Sequence, residues 1–156
     1  MSNAQADSLR IDVLGNARPP RAYLALKPAT LSRKQREKLQ VGSVLEDLDP
    51  FHLRVIHGPN VLARARLGRI GEREAIHVVS TDPHAFPGTP GKHHLLEVRM
   101  RLVGEDDVFR TGEVIVYDQP LSKEMLVLLD GTPIAMAEIV ECDHEPVVRI
   151  VRMLDG

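Results

Sequence analysis

Between residues 96 and 102 apolar and charged positions alternate strictly: Leu96, Val98, Met100 and Leu102 against Glu97, Arg99 and Arg101. That period of two predicts a half-buried strand. The same period sets Leu53 and Val55 against His52 and Arg54. Past a His57-Gly58-Pro59-Asn60 turn it sets Val61, Ala63, Ala65 and Leu67 against Arg64 and Arg66, which predicts a hairpin. Residues 68–73 read as a polar turn. Shorter apolar runs predict strands at 22–26, 75–79 and 114–117. The run 125–129, the Asp130-Gly131 turn and the return at 134–140 predict a second hairpin. Residues 142–146 read as another turn before a closing strand at 147–153.

Only residues 31–39 carry helical signals, with Ser32 and Gln35 at capping-box spacing and Gly42 placed to end the element. The expected fold is mainly β with one or two short helices.

Pro83, Pro87, Gly88, Pro90 and Gly91 interrupt this pattern, because such a stretch supports neither a helix nor a strand ladder. They divide the chain into a loose N-terminal arm (1–20), a first unit (21–80), a Pro/Gly-rich linker (81–94) and a second unit (95–156). The two units follow one order of elements. In each, a strand leads to a Gly and a short apolar segment, Gly42-Ser43-Val44-Leu45 or Gly112-Glu113-Val114-Ile115. An acidic turn, an apolar strand, a Gly-centred turn at Gly58 or Gly131, a returning strand and a closing strand complete each unit. A half of this size buries too little apolar surface to stand alone. The units are therefore expected to pack as an intertwined pseudo-two-fold pair, within the chain or between copies of it.

The composition narrows the chemistry. Hydrophobic residues make up 43%, enough for a core, while aromatics supply 3% with no Trp, so flat platforms for bases or sugars are scarce. A net charge of -2 gives no long-range attraction to phosphate, which argues against a general binder of nucleic acid or anionic membrane. The single cysteine, Cys142, excludes an intrachain disulfide and fits a reducing compartment. No apolar run approaches the roughly 20 residues of a membrane-spanning helix, and the first eight residues lack a secretory pattern, so the expected location is cytoplasmic.

No nucleophile has a recognisable setting, and no Gly-rich phosphate loop is present. Cys142-Asp143-His144-Glu145 combines metal-ligand types but places them in one tight turn, where they do not converge on an ion. His84, His93 and His94 with Asp82, and the carboxylates Glu105-Asp106-Asp107, read as solvated loop residues. No metal, cofactor or catalytic residue is expected. Arg64, Arg66, Arg69 and Arg73 form the one basic stretch suited to an anion or an acidic partner. An alternative function follows from them: a small ligand-binding β-barrel that takes a phosphate-bearing second messenger.

Residues 112–153, and above all Leu126-Val127-Leu128-Leu129-Asp130-Gly131-Thr132-Pro133-Ile134-Ala135-Met136-Ala137-Glu138-Ile139-Val140, resemble the SpoA domain. That domain occurs in flagellar motor-switch proteins of the FliM and FliN type and in the C-ring or sorting-platform proteins of type III secretion. The matching positions are Gly112, Val114, Gly131, Ile134, Ala135, Glu138, Val140, Val148, Arg149 and Ile150. Asp130, Ala137 and Val147 depart from the family's Asn, Gly and Gly. The first unit matches at Gly42, Val44, Leu45, Gly58 and Ala63. The resemblance implies a non-enzymatic scaffold that docks on sister C-ring subunits and on the N-terminal segment of the export-ATPase regulator. It implies a place peripheral to the inner membrane through the larger assembly, and homo-oligomers. Leu126, Leu128, Ile134, Met136 and Ile139 are the residues expected to meet a protein partner.

Overall fold

A computed structural model describes residues 22–58, 60–85, 93–104 and 108–154. The N-terminal arm, most of the Pro/Gly linker and Glu105-Asp106-Asp107 lie outside the described residues.

The chain is mainly β with one short helix. In order the elements are β1 (Ala22–Leu26), β2 (Ala29–Leu31), α1 (Arg33–Glu37), β3 (His52–His57), β4 (Asn60–Ile70), β5 (Arg73–Ser80), β6 (His84–Ala85), β7 (His94–Leu102), β8 (Val114–Val116), β9 (Met125–Leu129), β10 (Thr132–Cys142) and β11 (Glu145–Met153). These eleven strands form one antiparallel sheet, ordered β11-β10-β9-β7-β1-β3-β4-β5-β8, with β2 alongside β7 and β6 alongside β4. The helix is shorter than its sequence pattern, but its capping box forms. Gln35 N–H donates to Ser32 Oγ and Ser32 N–H donates to Gln35 Oε1.

The two halves meet at β1 and β7, and each half also sends a segment across to the other. Residues 42–45 of the first half lie along β11. Gly42 N–H donates to Ile150 O, Ile150 N–H to Ser43 O and Leu45 N–H to Val148 O. In the second half Gly112 N–H donates to Val78 O and Val78 N–H to Glu113 O, and β8 then continues along β5. Gly42 (φ 92°) and Gly112 (φ 87°) stand at the start of these segments in the left-handed region. A Cβ at either would meet nothing within 4 Å, so the requirement for glycine there is conformational.

One core lies under both halves. Leu24, Leu53, Val55, Ile76 and Val78 share it with Leu96, Val98, Met125, Val127, Val148 and Ile150, and Leu45 enters it from the crossing segment. A buried carboxylate secures the second crossing. Glu74 on β5 accepts from Leu121 N–H (2.7 Å), Ser122 N–H (2.9 Å) and the Ser122 hydroxyl, on the connection that leads from β8 back to β9.

Three differences from the sequence pattern have a physical cause. The polar turn expected at 68–73 contracts to Gly71-Glu72, because β4 and β5 pair up to Ile70 and Arg73. The turn expected at 142–146 contracts to Asp143-His144, because Cys142 already pairs with Glu145. In β7 the alternation reverses after Met100. Ala25 pairs with Arg99 and Leu24 with Arg101, so Met100 is an extra residue opposite β1. Arg101 consequently turns to the core side, with its guanidinium 4.8 Å from the Tyr117 ring centre, and Leu102 is exposed. Glu97, on the polar side of the pattern, is buried beside Arg99 at 3.4 Å.

Because both crossings end in a common core, the halves are expected to unfold together. Urea titrations followed by circular dichroism and by tyrosine emission should share one midpoint. Ile76→Ala in the first half and Ile150→Ala in the second should each lower that midpoint, at a cost of about 2–4 kcal/mol. Two separable transitions would contradict the shared core.

Candidate functional site: the outer face of the sheet

The antiparallel registers define a row that crosses the sheet on the side away from the core. Ser80 on β5 lies opposite Arg64 on β4, Arg64 opposite Arg54 on β3, and Arg54 opposite Ala25 on β1. Ala25 lies opposite Arg99 on β7, Arg99 opposite Leu126 on β9, Leu126 opposite Met136 on β10, and Met136 opposite Arg152 on β11. Directly opposed residues share a face, so this row is one surface feature.

Its first-half end is basic. Arg54 is half-buried and Arg64 is exposed. Burial and then the facing Arg64 charge lower the pKa of the Arg54 guanidinium from its ordinary value. Arg54 Nη1 donates to Leu53 O at 3.2 Å. One step along, Arg66 faces His52, with Arg66 Nη1 3.4 Å from His52 Nε2, while His52 Nδ1 lies 3.2 Å from Asp49. Like charges placed directly opposite on a sheet destabilise it. The Arg54–Arg64 pair therefore works against the fold unless an anion sits on it.

Toward the centre the charge is balanced. Arg99 lies 4.2 Å from the Tyr23 ring centre and 3.4 Å from Glu97. Ala25, between Arg54 and Arg99, is fully buried. At the second-half end the surface becomes apolar. Leu126 and Met136 are both half-buried and directly opposed.

The residues singled out in the sequence divide accordingly. Arg64 and Arg66 share a face, but Arg69 and Arg73 do not join them. Arg69 sits near the β4–β5 turn with Nη1 3.5 Å from Glu72 O, and Arg73 pairs with Asp118 at 3.2 Å. Among the residues expected to meet a partner, Leu126 and Met136 lie on the outer row. Leu128 is 3% exposed and offers a partner little, while Ile134 and Ile139 are half-buried and pack on the edge of the core. The sequence reading missed Arg54 and Arg99 as members of the row. The signal was present for Arg54, which alternates with Leu53 and Val55 on a strand facing Arg64 across a short turn.

Asp130 fixes the hairpin that carries Leu126 and Met136. It stands in a tight turn with Gly131 (φ 50° and 83°) and accepts from His94 Nδ1 (2.6 Å) and Leu95 N–H (2.8 Å). Its own N–H donates to Leu95 O. Cys142 is exposed on the β10–β11 hairpin. Among the described residues no group of three or more His, Cys, Asp or Glu is placed to hold a metal, and no helix is long and apolar enough to cross a membrane. An open cleft of about 500 Å³ lies beside the basic end of the row at His52, lined also by Lys27, Thr30, Asp47 and Asp49 among others, and none of the arginines of the row lines it.

Two outcomes are expected. The hydrogen bonds from His94 and then Leu95 hold Asp130 below the ordinary aspartate value of 3.8. A depressed carboxylate contributes stability in full above its unfolded-state value and loses it as pH falls through the folded-state value. Carboxyl NMR should find Asp130 titrating below 3.8, with the Leu95 amide following the same curve; a titration at or above that value would rule the contact out. Arg64→Gln should raise stability by about 0.5 kcal/mol, since it removes one of two opposed like charges. No change, or a loss, in the melting midpoint would show that the pair carries no strain. No family model matches the chain, and no curated protein matches it.

Proposed function

We propose that the chain is a non-enzymatic assembly module of the SpoA type, built from two units that exchange strands. In this reading it belongs to the cytoplasmic ring of a flagellar motor switch or type III secretion system. Its partners are sister ring subunits and the N-terminal segment of the export-ATPase regulator.

The observation that carries the reading is the way the halves are paired. Each half gives up the segment after a glycine, Gly42 or Gly112, to the closing strand of the other half. The irregularities correspond as well. The register slips between Val55 and Ile56 in the first half and between Val127 and Leu128 in the second. It slips again between Arg64 and Ala65, and between Met136 and Ala137. Leu67 N–H donates to Phe51 O, and Ile139 N–H donates to Ser122 O. A duplicated unit accounts for all of these at once. An intertwined β-rich pair is what the SpoA resemblance implies.

On this reading Arg54, Arg64 and Arg66 hold the positions that Leu126, Met136 and Glu138 hold in the other unit. The row is then a docking surface with a basic end and an apolar end. Charged rims steer and select partners, while a desolvated apolar centre supplies affinity. The surface suits an extended protein segment better than a small phosphate ligand, since the nearby cleft carries Asp47 and Asp49.

Co-purification of the full chain with sister ring subunits and with the regulator's N-terminal segment tests the reading. Leu126→Ala with Met136→Ala should weaken capture at least tenfold, about 1.4 kcal/mol or more, while the melting transition stays cooperative. Failure to capture either partner, with tight binding of a cyclic dinucleotide by calorimetry, would replace this reading with the ligand-binding barrel.

A further inference from the structure

Charge is divided unequally along the chain. Residues 21–80 hold 11 Lys and Arg against 6 Asp and Glu, whereas residues 95–156 hold 6 against 13. The overall charge of -2 conceals this polarity. On the first half, the excess includes the opposed Arg54–Arg64 pair and the neighbouring Arg66. On the second, exposed carboxylates gather at the β10–β11 hairpin tip: Glu141, Asp143 and Glu145, around a turn in which Asp143 and His144 both have positive φ (50° and 67°). Among the described residues none of these three carboxylates makes an ion pair, and neither does Arg64.

We infer that the occupant of the basic face is a second copy of this chain, presenting its acidic β10–β11 tip. The spacing suits this. Arg64 and Arg66 stand two residues apart on one strand face, about 7 Å, and the tip that would meet them carries Glu141 and Glu145 at the ends of its two strands with Asp143 in the turn between. An incoming carboxylate also relieves the repulsion between Arg54 and Arg64, which no group of the chain itself neutralises among the described residues. The two surfaces belong to different halves, so the contact joins unlike patches. Each copy keeps a free basic face at one side and a free acidic tip at the other, and association proceeds head to tail. The inference rests on the assembly reading for its sense, but it stands on charge placement and fails separately. Loss of self-association leaves capture of sister subunits untouched, and the reverse also holds.

Sedimentation velocity on the full chain at low ionic strength tests it. The wild type should form a concentration-dependent series that extends beyond the dimer and collapses toward monomer at about 0.5 M salt, where exposed charges are screened. R64E/R66E and E141K/E145K leave the turn residues in place, and circular dichroism checks that both fold. Each variant alone should associate at least tenfold more weakly, since its two surfaces now carry the same sign. An equimolar mixture should restore the series, because each variant's face again meets a tip of opposite charge. Three results would overturn the inference: a wild type that stays monomeric at every concentration, a series indifferent to both charge reversals, or a dimer that closes and grows no further.

Discussion

The structure depends on two short backbone ladders that leave their own halves. Residues 42–45 hydrogen-bond along β11, and residues 112–116 along β5. Neither segment is long enough to be a stable strand by itself. Each is held because its backbone groups are paired and because a side chain behind it, Leu45 in one case and Tyr117 in the other, enters the common core. β1 and β7 pair directly at the middle of the sheet, which makes the outer row continuous from Ser80 to Arg152, and the two crossings tie the same halves together through the common core.

The glycines and Glu74 show how this arrangement is kept specific. Left-handed backbone at Gly42 and Gly112 turns the chain out of one half and into the other. A buried carboxylate costs desolvation, and Glu74 offsets it with three donors from residues 121 and 122. Those donors belong to the connection after β8, so the second crossing is fastened by a group from the strand it crosses to. The first crossing has no such clamp among the described hydrogen bonds and relies on apolar packing of Leu45 and Leu48.

Most of the strands were legible in the sequence because their patterns are local. Val55, Ala63 and Ala65 alternate with Arg54, Arg64 and Arg66, and the turn chemistry of Asp130-Gly131 is specific to a tight hairpin. What was not legible is set by non-local pairing. The extra residue at Met100 is defined only by β1 across from it, and it alone exchanges the sides of Arg101 and Leu102. Burial of Leu128 and Glu97 is equally invisible along the chain, since Glu97 lies on the polar side of its alternation and Leu128, in an apolar run and expected to meet a partner, is opposed to it across β7 and β9. The grouping of Arg64 with Arg66 was readable from spacing. Their separation from Arg69 and Arg73 was not, because it depends on β4 continuing to Ile70 and on Asp118 reaching Arg73.

The contrast between the ends of the row argues for a division of labour. A sheet face that served only solubility would intersperse charges of both signs, as opposed like charges gain nothing. Here the first half opposes Arg54 to Arg64, whereas the second opposes Leu126 to Met136. Each choice is unfavourable in isolation: repulsion at one end, and half-buried apolar side chains left open to water at the other. Both become favourable when something covers them, and they call for different coverings, an anionic one and an apolar one. If the halves descend from one unit, they have diverged at equivalent positions while keeping the bulges and crossings that hold those positions in line. That pattern is what polarity in an assembly requires, since two identical faces would bind two identical partners and give the chain no direction.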